Sequence, residues 1–306
     1  MQKIIVVVGP TAVGKTSLAI KLAQQVNGQI ISGDSMQIYR EVSIGTAKAT
    51  EAEQAAAPHL LINQKSVFEE YSVKDFVADA TEAIDKTIQI KKTPIICGGT
   101  GFYINALINK LQLGEPGEYE TSVEPKFEIF LAEHGPEKLW QLLQERDPQA
   151  CEKIPVENTR RVLRALTVID RTGEKFSQQQ AQIKPRYDAL LIGLNSERQL
   201  VYGRINKRVD IMMTEGLLDE AKFIYENRAR EYQILQAIGY KEFFPYFEGT
   251  SDLNTCVEKL KQASRKYAKR QLTYFRNKLT VNWYDSLNDP NYFEEILTKV
   301  EQWQNE

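Results

Sequence analysis

An eight-residue segment near the N-terminus has the composition and spacing of a phosphate-binding loop. The pattern G-x-x-x-x-G-K-[ST] is matched by Gly9, Pro10, Thr11, Ala12, Val13, Gly14, Lys15 and Thr16, called the phosphate loop below. Its glycines let backbone N–H groups converge, and the start of the following helix adds partial positive charge, so the loop attracts phosphate oxygens. Lys15 adds a full charge, and Thr16 offers a hydroxyl to Mg²⁺. The segment predicts a site for a diphosphate or a triphosphate.

Two further polar segments follow predicted buried strands. Asp34 comes after residues 29–32, and a glycine-rich block with Thr100 follows residues 94–97. Because open α/β sheets bind ligands at the carboxyl ends of their strands, we expect both segments to face the phosphate loop. Taken alone, an Asp after a strand is more typical of a turn or a helix cap, and the glycines are also compatible with a turn that starts a helix. The phosphate loop nearby favours ligand binding.

The phosphate loop does not by itself select a reaction. Most such loops bind ATP or GTP and use an Asp at the end of a neighbouring apolar strand to hold Mg²⁺. Residues 94–97 are followed by Gly98 instead of a carboxylate, so nucleotide hydrolysis is not our first interpretation. Two alternatives stay open: a P-loop kinase acting on a small metabolite or nucleoside, and a nucleic-acid-binding ATPase without transfer chemistry.

Strand and helix patterns alternate around these segments. Strand patterns occupy residues 4–8, 29–32, 94–97 and 189–194, with a final edge strand at 281–284. Helix patterns with an apolar face occupy residues 15–26, 72–91 and 196–216, and further helices follow. Such alternation predicts a parallel sheet covered by helices. The predicted fold class is α/β, with a P-loop NTPase-like parallel sheet core flanked by helices.

The pattern changes at about Leu111. Glycine and proline interrupt it at residues 114–117, and the sequence then predicts only helices to about Lys184, most clearly at 136–146 and 156–172. A strand pattern returns at residues 189–194. We therefore predict a small all-helical insertion domain at residues 111–184, within a core domain formed by residues 1–110 and 185–306.

Composition and charge narrow the classes of protein. The 306 residues are 42% hydrophobic and 26% charged, which is typical of a globular chain. Apolar runs are far shorter than the about 20 residues of a membrane helix, and no secretory leader is evident, so we expect a cytoplasmic protein with no membrane partner. The formal net charge of −2 conceals a basic segment, residues 259–278, with eight Lys or Arg and no acidic residue. This segment indicates a nucleic-acid partner.

Four spaced blocks make the sequence similar to the tRNA dimethylallyltransferase family. They are the phosphate loop, Asp34-Ser35-x-Gln37-Ile38-Tyr39, Ile44-Gly45-Thr46-Ala47-Lys48 and Gly98-Gly99-Thr100-Gly101-Phe102-Tyr103. The resemblance continues through residues 58–61, 161–166, 238–240 and 269–276. It covers nearly the whole chain, and residues 111–152 contribute least.

The resemblance implies a dimethylallyl diphosphate donor, Mg²⁺ as cofactor, and catalytic roles for Asp34, Thr100 and Arg208. The implied acceptor is the exocyclic amine of the adenosine 3′-adjacent to the anticodon, in tRNAs that read codons beginning with U. This amine is a poor nucleophile, and Asp34, if exposed, would be ionised at neutral pH and ready to accept its proton. Arg208 would stabilise the departing diphosphate, although its neighbours alone predict a solvated helix face there.

The implied partner is a tRNA anticodon stem-loop, whose target base must be turned out of its stack. The implied tRNA-binding residues are Asp34, Ser35, Met36, Gln37, Thr100, Arg160, Arg161, Arg164, Gly239, Tyr240, Lys269, Arg270 and Arg276. A transferase using free AMP would need neither the insertion nor the basic segment. Three positions depart from the family pattern: Asn63 and Asn158 replace Asp, and Tyr274 replaces Trp. We expect a monomer.

Overall fold

The computed structural model describes residues 1–111, 123–178, 184–228 and 232–306. The chain forms two compact units, one of Met1–Lys110 with Pro185–Glu306 and the other of Leu111–Lys184. These bounds lie where the sequence places the core and the insertion. The break predicted at residues 114–117 lies outside the described residues. Within the described ranges, no helix is both long and apolar enough to cross a membrane.

Six parallel strands form the sheet of the larger unit. They are β1 (Lys3–Val8), β2 (Gly28–Ser32), β3 (His59–Leu60), β4 (Thr93–Cys97), β5 (Asp188–Asn195) and β6 (Asn282–Asp285). Their order is β3-β2-β4-β1-β5-β6, so the predicted parallel sheet is confirmed. The apolar strand β1 lies inside the sheet, where Ile5 pairs with Ile95 and Leu190. The two-residue strand β3 is too short to show a periodic pattern, and the sequence did not predict it.

Helices cover the sheet and build the smaller unit. They are α1 (Lys15–Gln25), α2 (Glu51–Ala56), α3 (Val73–Gln89), α4 (Gly101–Ile108), α5 (Pro125–Arg146), α6 (Pro148–Cys151), α7 (Thr159–Thr172), α8 (Arg198–Thr214), α9 (Leu217–Glu226), α10 (Phe244–Phe247), α11 (Leu253–Lys278) and α12 (Tyr292–Asn305). Of these, α5, α6 and α7 belong to the smaller unit.

One apolar cluster holds the two elements that flank the phosphate loop. Leu18 and Leu22 of α1 pack with Ile5 of β1, and α12 adds Ile296 and Trp303 to the same cluster. All five side chains are at least nine-tenths buried. Because removing apolar surface from water is the main stabilising contribution to folding, this cluster holds the end of β1 and the start of α1 in fixed positions. The loop between them is therefore supported at both ends.

The smaller unit has a core of its own. Leu139 and Leu143 of α5 pack with Val162 and Leu166 of α7. Helix α5 is kinked at Gly135, whose φ of 81° is non-helical, just before Pro136. The apolar face of α7 is used in this packing, so its opposite face is left to solvent.

Candidate active site

The phosphate loop has backbone conformations that its glycines permit. Gly9 has φ of 143° and Gly14 has φ of 101°, values that residues with a Cβ rarely adopt. A Cβ on Gly9 would also lie 2.3 Å from the Leu194 carbonyl oxygen. Position 9 therefore requires glycine for two reasons: its backbone conformation, and the short distance to the backbone of β5. Ala12 also has a positive φ, of 67°.

Three carbonyl groups of the phosphate loop accept hydrogen bonds from side chains. Lys15 Nζ donates to the Pro10 carbonyl at 2.8 Å, and Arg204 Nε donates to that of Ala12 at 2.8 Å. Ser286 Oγ donates to the Val13 carbonyl at 3.0 Å. The donors come from α1, α8 and the segment after β6. The loop is therefore held from three sides of the sheet edge.

The ends of β2 and β4 approach so closely that only glycine fits between them. The Gly33 N–H donates to the Cys97 carbonyl at 2.8 Å, and a Cβ on Gly98 would lie 2.3 Å from the backbone of Gly33. This approach brings Thr100 to the segment after β2. The Ser35 N–H donates to Thr100 Oγ1 at 3.1 Å, and that hydroxyl donates to Ser35 Oγ at 3.3 Å. The two polar segments meet at one edge, as the strand order requires.

Asp34 lies at this edge of the sheet and is partly buried, so the condition of an exposed carboxylate is not met. Its Oδ1 accepts a hydrogen bond from the Met36 N–H at 3.0 Å. Burial raises the pKa of its carboxyl above the ordinary value, while the Met36 N–H and the nearby charges of Lys15 and Arg208 oppose that rise. A carboxylate with a raised pKa binds a proton more strongly than an exposed one, so the correction favours a role as proton acceptor.

Two cations face Asp34 from different elements. Burial lowers the pKa of Lys15 to about 8, and the charge of Arg208 acts in the same direction while Asp34 opposes it. Arg208, from α8, is partly buried, which lowers its pKa, and the charges of Glu53 and Asp34 oppose that shift. Arg208 is thus less exposed than Arg204 and Lys207, its basic neighbours on the same helix. Asp34 follows the end of β2, Lys15 begins α1 and Arg208 lies within α8, so the three charged groups come from three different elements.

Thr16 is the residue of the phosphate loop that offers a neutral oxygen to a metal ion. No three His, Cys, Asp or Glu side chains in the described part of the chain are grouped so that they could hold a metal. Mg²⁺ in phosphate sites commonly takes one or two protein oxygens and completes its shell with substrate oxygens and water. The donor set therefore fits Mg²⁺ that binds together with a diphosphate, and does not fit an ion held by protein alone.

A basic groove runs along α11. It has a volume of about 550 Å³ and is lined by Lys266, Lys269, Arg270, Thr273, Tyr274, Asn277 and Lys278. Lys269 and Arg270, predicted from the sequence, are both part of it. Arg276 is not in this lining, and its guanidinium lies 5.8 Å from the centre of the Trp283 ring instead. The groove carries positive charge and an aromatic side chain without an acidic neighbour in its lining, a combination suited to a polynucleotide.

Two residues predicted to contact tRNA have side chains that form hydrogen bonds within the protein. Gln37 Nε2 donates to the carbonyls of Thr46 and Ala47, each at 3.3 Å, and its Oε1 accepts from Ser32 Oγ. Tyr240 is fully buried, and its hydroxyl donates to Glu220 at 2.8 Å. The burial of Tyr240 does not support direct contact between its side chain and RNA. Gly239, beside it, is buried as well.

The sequence did not predict a role for Glu220, which binds the backbone of the loop at residues 43–45, next to Tyr240. Its carboxylate accepts hydrogen bonds from the N–H groups of Ser43, Ile44 and Gly45 at 2.7, 3.0 and 2.8 Å. A Cβ on Gly45 would lie 2.6 Å from the Tyr240 hydroxyl. Nothing in the local sequence around residue 220 distinguishes it from an ordinary charged helix residue, so no signal could have identified it.

The remaining predicted RNA contacts lie on α7. Arg160, Arg161 and Arg164 are all exposed on this helix, consistent with its apolar face packing inward. Asn158 caps the helix, since its Oδ1 accepts from the Arg161 N–H at 3.3 Å. Asn therefore does at this position what the Asp of the family pattern would do.

The other two departures from the family pattern also have partners. Asn63 Oδ1 accepts from Lys48 Nζ at 2.6 Å. Tyr274 packs against Gly101, where a Cβ would lie 2.4 Å from its ring, and its hydroxyl accepts from Asn105 Nδ2 at 3.0 Å. Tyr274 therefore both packs against α4 and lines the basic groove.

A parallel sheet with a phosphate loop after an interior strand, and a carboxylate after the second strand, defines a P-loop NTPase-like fold. Residues 37–278 match the family model described as IPP transferase. The chain belongs to this family, which confirms the resemblance found in the sequence.

Known relatives extend over the full length of the chain. It is 63% identical over 306 residues to a tRNA dimethylallyltransferase of Lactobacillus helveticus, with all of both chains covered. Among solved structures, it is similar to the tRNA isopentenylpyrophosphate transferase of Bacillus halodurans, with 42% identity, a TM-score of 0.75, and 99% and 97% of the two chains covered. A eukaryotic dimethylallyltransferase acting on tRNA gives 30% identity and a TM-score of 0.85, covering 100% of this chain and 80% of the other. These matches do not favour the kinase alternative.

Proposed function

We propose that this protein transfers a dimethylallyl group from dimethylallyl diphosphate to the exocyclic amine of the adenosine 3′-adjacent to the anticodon in tRNAs that read codons beginning with U. The observation that carries the proposal is that Lys15, of the phosphate loop, and Arg208 lie near enough to Asp34 for their charges to act on its carboxyl. Membership of the IPP transferase family supports the same reaction class. Such a reaction needs a proton acceptor on one side and cations for a leaving diphosphate on the other.

The reaction would proceed by attack of the adenine amine on the first carbon of the dimethylallyl group. A carbon–nitrogen bond forms while the bond between that carbon and the diphosphate oxygen breaks. The proton leaving the amine passes to the Asp34 carboxylate, whose raised pKa suits it to this role. The developing negative charge on the diphosphate is stabilised by Lys15, Arg208 and the phosphate loop.

Thr100 and Thr16 would have separate parts in this scheme. The Thr100 hydroxyl, which is bonded to the Ser35 backbone, holds the segment that carries Asp34 at the edge where the acceptor base enters. The Thr16 hydroxyl and diphosphate oxygens would together hold Mg²⁺, which adds charge stabilisation to the leaving group when bound.

The acceptor we propose is a polynucleotide rather than free AMP. The basic groove on α11 and the exposed arginines of α7 provide more positive surface than a mononucleotide requires. Both surfaces suit the phosphates of an anticodon stem-loop. Because such RNA is the substrate, we propose a cytoplasmic location, with the protein acting as a monomer.

A direct test is incubation of the protein with labelled dimethylallyl diphosphate, Mg²⁺ and bulk unmodified tRNA, followed by nucleoside analysis. We expect label in a dimethylallylated adenosine from tRNA and none in AMP supplied as acceptor. Consumption of ATP with phosphate transfer to a small acceptor, without any prenylated nucleoside, would contradict the proposal. A protein stabilised against thermal unfolding by ATP but not by dimethylallyl diphosphate would do the same.

A further inference from the structure

Gln271 is a buried polar side chain of α11 at the candidate active site. It is only 5% exposed, whereas its neighbours on the chain, Lys269 and Arg270, are exposed and line the basic groove. A buried amide without partners is costly, because it loses its hydrogen bonds to water. The partners of Gln271 therefore indicate why a polar residue is tolerated at this position.

The two ends of the Gln271 amide bind two different ligand-binding segments. Its Oε1 accepts a hydrogen bond from the Thr11 N–H at 2.9 Å. Its Nε2 donates to the Gly99 carbonyl at 3.0 Å. Thr11 lies in the phosphate loop after β1, and Gly99 lies in the turn after β4. One side chain from a distant helix thus joins the two segments.

The surroundings of Gln271 match an amide closely. A Cβ on Gly99 would lie 2.1 Å from Gln271 Nε2, so the turn can accept this side chain only where residue 99 is glycine. Tyr267, one turn earlier on α11, lies near the Thr100 and Gln271 side chains, which lower the pKa of its hydroxyl against the larger rise caused by burial. Thr100 in turn binds Ser35. A continuous series of contacts therefore runs from the phosphate loop to the segment that carries the catalytic carboxylate.

We propose that Gln271 is a positioning residue that fixes the phosphate loop against the turn at residues 98–100, and so sets the distance between a bound diphosphate and Asp34. The inference rests on the proposed function, since it concerns the placement of donor and proton acceptor. An amide suits the role because it accepts at one end and donates at the other. Misplacement of reacting groups by about 1 Å can reduce a rate by about 10²-fold.

Two substitutions separate the donor and acceptor ends of the amide. Gln271→Met has similar length and removes both hydrogen bonds. Gln271→Glu keeps the acceptor for the Thr11 N–H, and its introduced carboxyl can donate to the Gly99 carbonyl only while protonated. When ionised, that carboxyl also adds negative charge beside the diphosphate site. The activity of Gln271→Glu should therefore depend on pH in a way that a purely structural defect would not.

The measurement is kcat and KM for tRNA prenylation by the full-length protein, across a range from about pH 6 to about pH 8. We expect Gln271→Met to lower kcat by about 100-fold at every pH, with the KM for tRNA within about two-fold of wild type. For Gln271→Glu, the ratio of its kcat to that of wild type should rise as the pH is lowered. Gln262→Met, an exposed glutamine on the same helix, is the matched control and should behave as wild type.

Two results would overturn the assignment: a Gln271→Met protein with kcat within about two-fold of wild type, or a Gln271→Glu ratio that does not change with pH. The second result decides the question even if the Met variant does not fold. Calorimetric titration with inorganic pyrophosphate and Mg²⁺ separates this inference from the proposed function, because it requires no acceptor. Pyrophosphate affinity that is equal in wild type and Gln271→Glu at every pH would reject the role of Gln271 alone. The opposite outcome would reject the proposed function alone. In that case the wild type binds pyrophosphate and Gln271→Glu binds it more weakly at high pH, but the wild type transfers no prenyl group.

Discussion

The residues of the candidate site share one physical setting, a pocket that removes charged groups from water. Burial raises the pKa of Asp34 and lowers that of Lys15 to about 8. Both shifts reduce the charge that each group carries in the free protein, and both are opposed by the other group's charge. A substrate that brings a proton donor to Asp34 and an anion to Lys15 therefore stabilises the charged forms that burial disfavours.

Replacing Asp34 with Asn removes the proton acceptor while keeping the shape of the side chain. We expect Asp34→Asn to lower kcat for tRNA prenylation by about 10²- to 10⁴-fold, with little change in pyrophosphate affinity. Steady-state kinetics and calorimetry measure the two quantities. Asp219→Asn, at an exposed position near the start of α9, is the control. An Asp34→Asn variant with near-normal turnover would remove Asp34 from the mechanism.

The lowered pKa of Lys15 predicts how donor binding depends on pH. The ammonium is present below its pKa of about 8 and is lost as the pH rises through that value, so the free protein should bind diphosphate less well in alkaline solution. The profile of kcat/KM for dimethylallyl diphosphate, which reports groups of the free enzyme, should fall above about pH 8. In Lys15→Arg this fall should disappear, because a guanidinium does not titrate there. An unchanged alkaline fall in that variant would assign it to another group.

The segments that support the site depend on buried charges as much as on apolar packing. Lys48 is 9% exposed and donates to the Tyr39 carbonyl and to Asn63 Oδ1, both at 2.6 Å. Burial lowers its pKa to about 8, while the charges of Glu220 and Glu41 oppose that shift. In this chain the direct side-chain partners of Lys48 are the neutral amide of Asn63 and the Ser43 hydroxyl, and the resemblance noted in the sequence has a carboxylate at position 63.

Restoring a carboxylate at this position should stabilise the protein. Because the folded pKa of Lys48 lies below its unfolded value, the folded state carries a penalty at pH below about 8 that diminishes as the pH rises toward 10.5. Asn63→Asp provides a counter-charge, so we expect a gain of about 1 kcal/mol in the free energy of unfolding at pH 7. The gain should shrink above about pH 8 and when the new carboxyl is protonated in acid.

Urea unfolding at several pH values measures this gain. Asn305→Asp, at an exposed position near the end of α12, controls for the added charge. The φ of 56° at Asn63 is tolerated by Asp as well as Asn, so backbone strain does not obscure the comparison. A gain that is the same at pH 7 and at about pH 10 would show that Lys48 is not its source.

At the scale of the molecule, the donor site lies in one unit, whereas the proposed RNA surfaces, the basic groove of α11 and the arginines of α7, lie in both. The phosphate loop and Asp34 belong to the larger unit, and the exposed arginines of α7 belong to the smaller one. This division predicts that the two activities can be weakened independently.

Neutralising part of α7 should therefore affect tRNA binding alone. In the double variant Arg161→Gln/Arg164→Gln, we expect weaker tRNA binding and a log–log salt dependence that is shallower by about 0.7 to 0.9 per arginine. Pyrophosphate affinity should stay within about two-fold of wild type, since the arginines do not line the phosphate loop. Filter binding at several salt concentrations measures the first effect. Lys86→Gln/Lys222→Gln removes the same charge from exposed positions elsewhere, and an equal loss of tRNA binding there would show that only net charge matters.

The sequence was sufficient wherever structure depends on neighbouring residues. The phosphate loop was predictable because its glycines, lysine and threonine are contiguous, and their spacing alone determines how the backbone turns. The parallel sheet and its helices were predictable from apolar periodicity, and the helical insertion from the loss of alternation between two strand patterns.

The environment of the site was decided by the tertiary structure. Arg208, Gln271 and Glu220 act on segments more than 170 residues away in sequence. The residues next to them in the chain do not predict these long-range contacts. The raised pKa of Asp34 likewise depends on burial by elements that lie further along the sequence. Local sequence selects backbone conformation because neighbouring residues interact in every state of the chain, whereas desolvation and long-range hydrogen bonds exist only once the sheet edge and the helices around it have assembled.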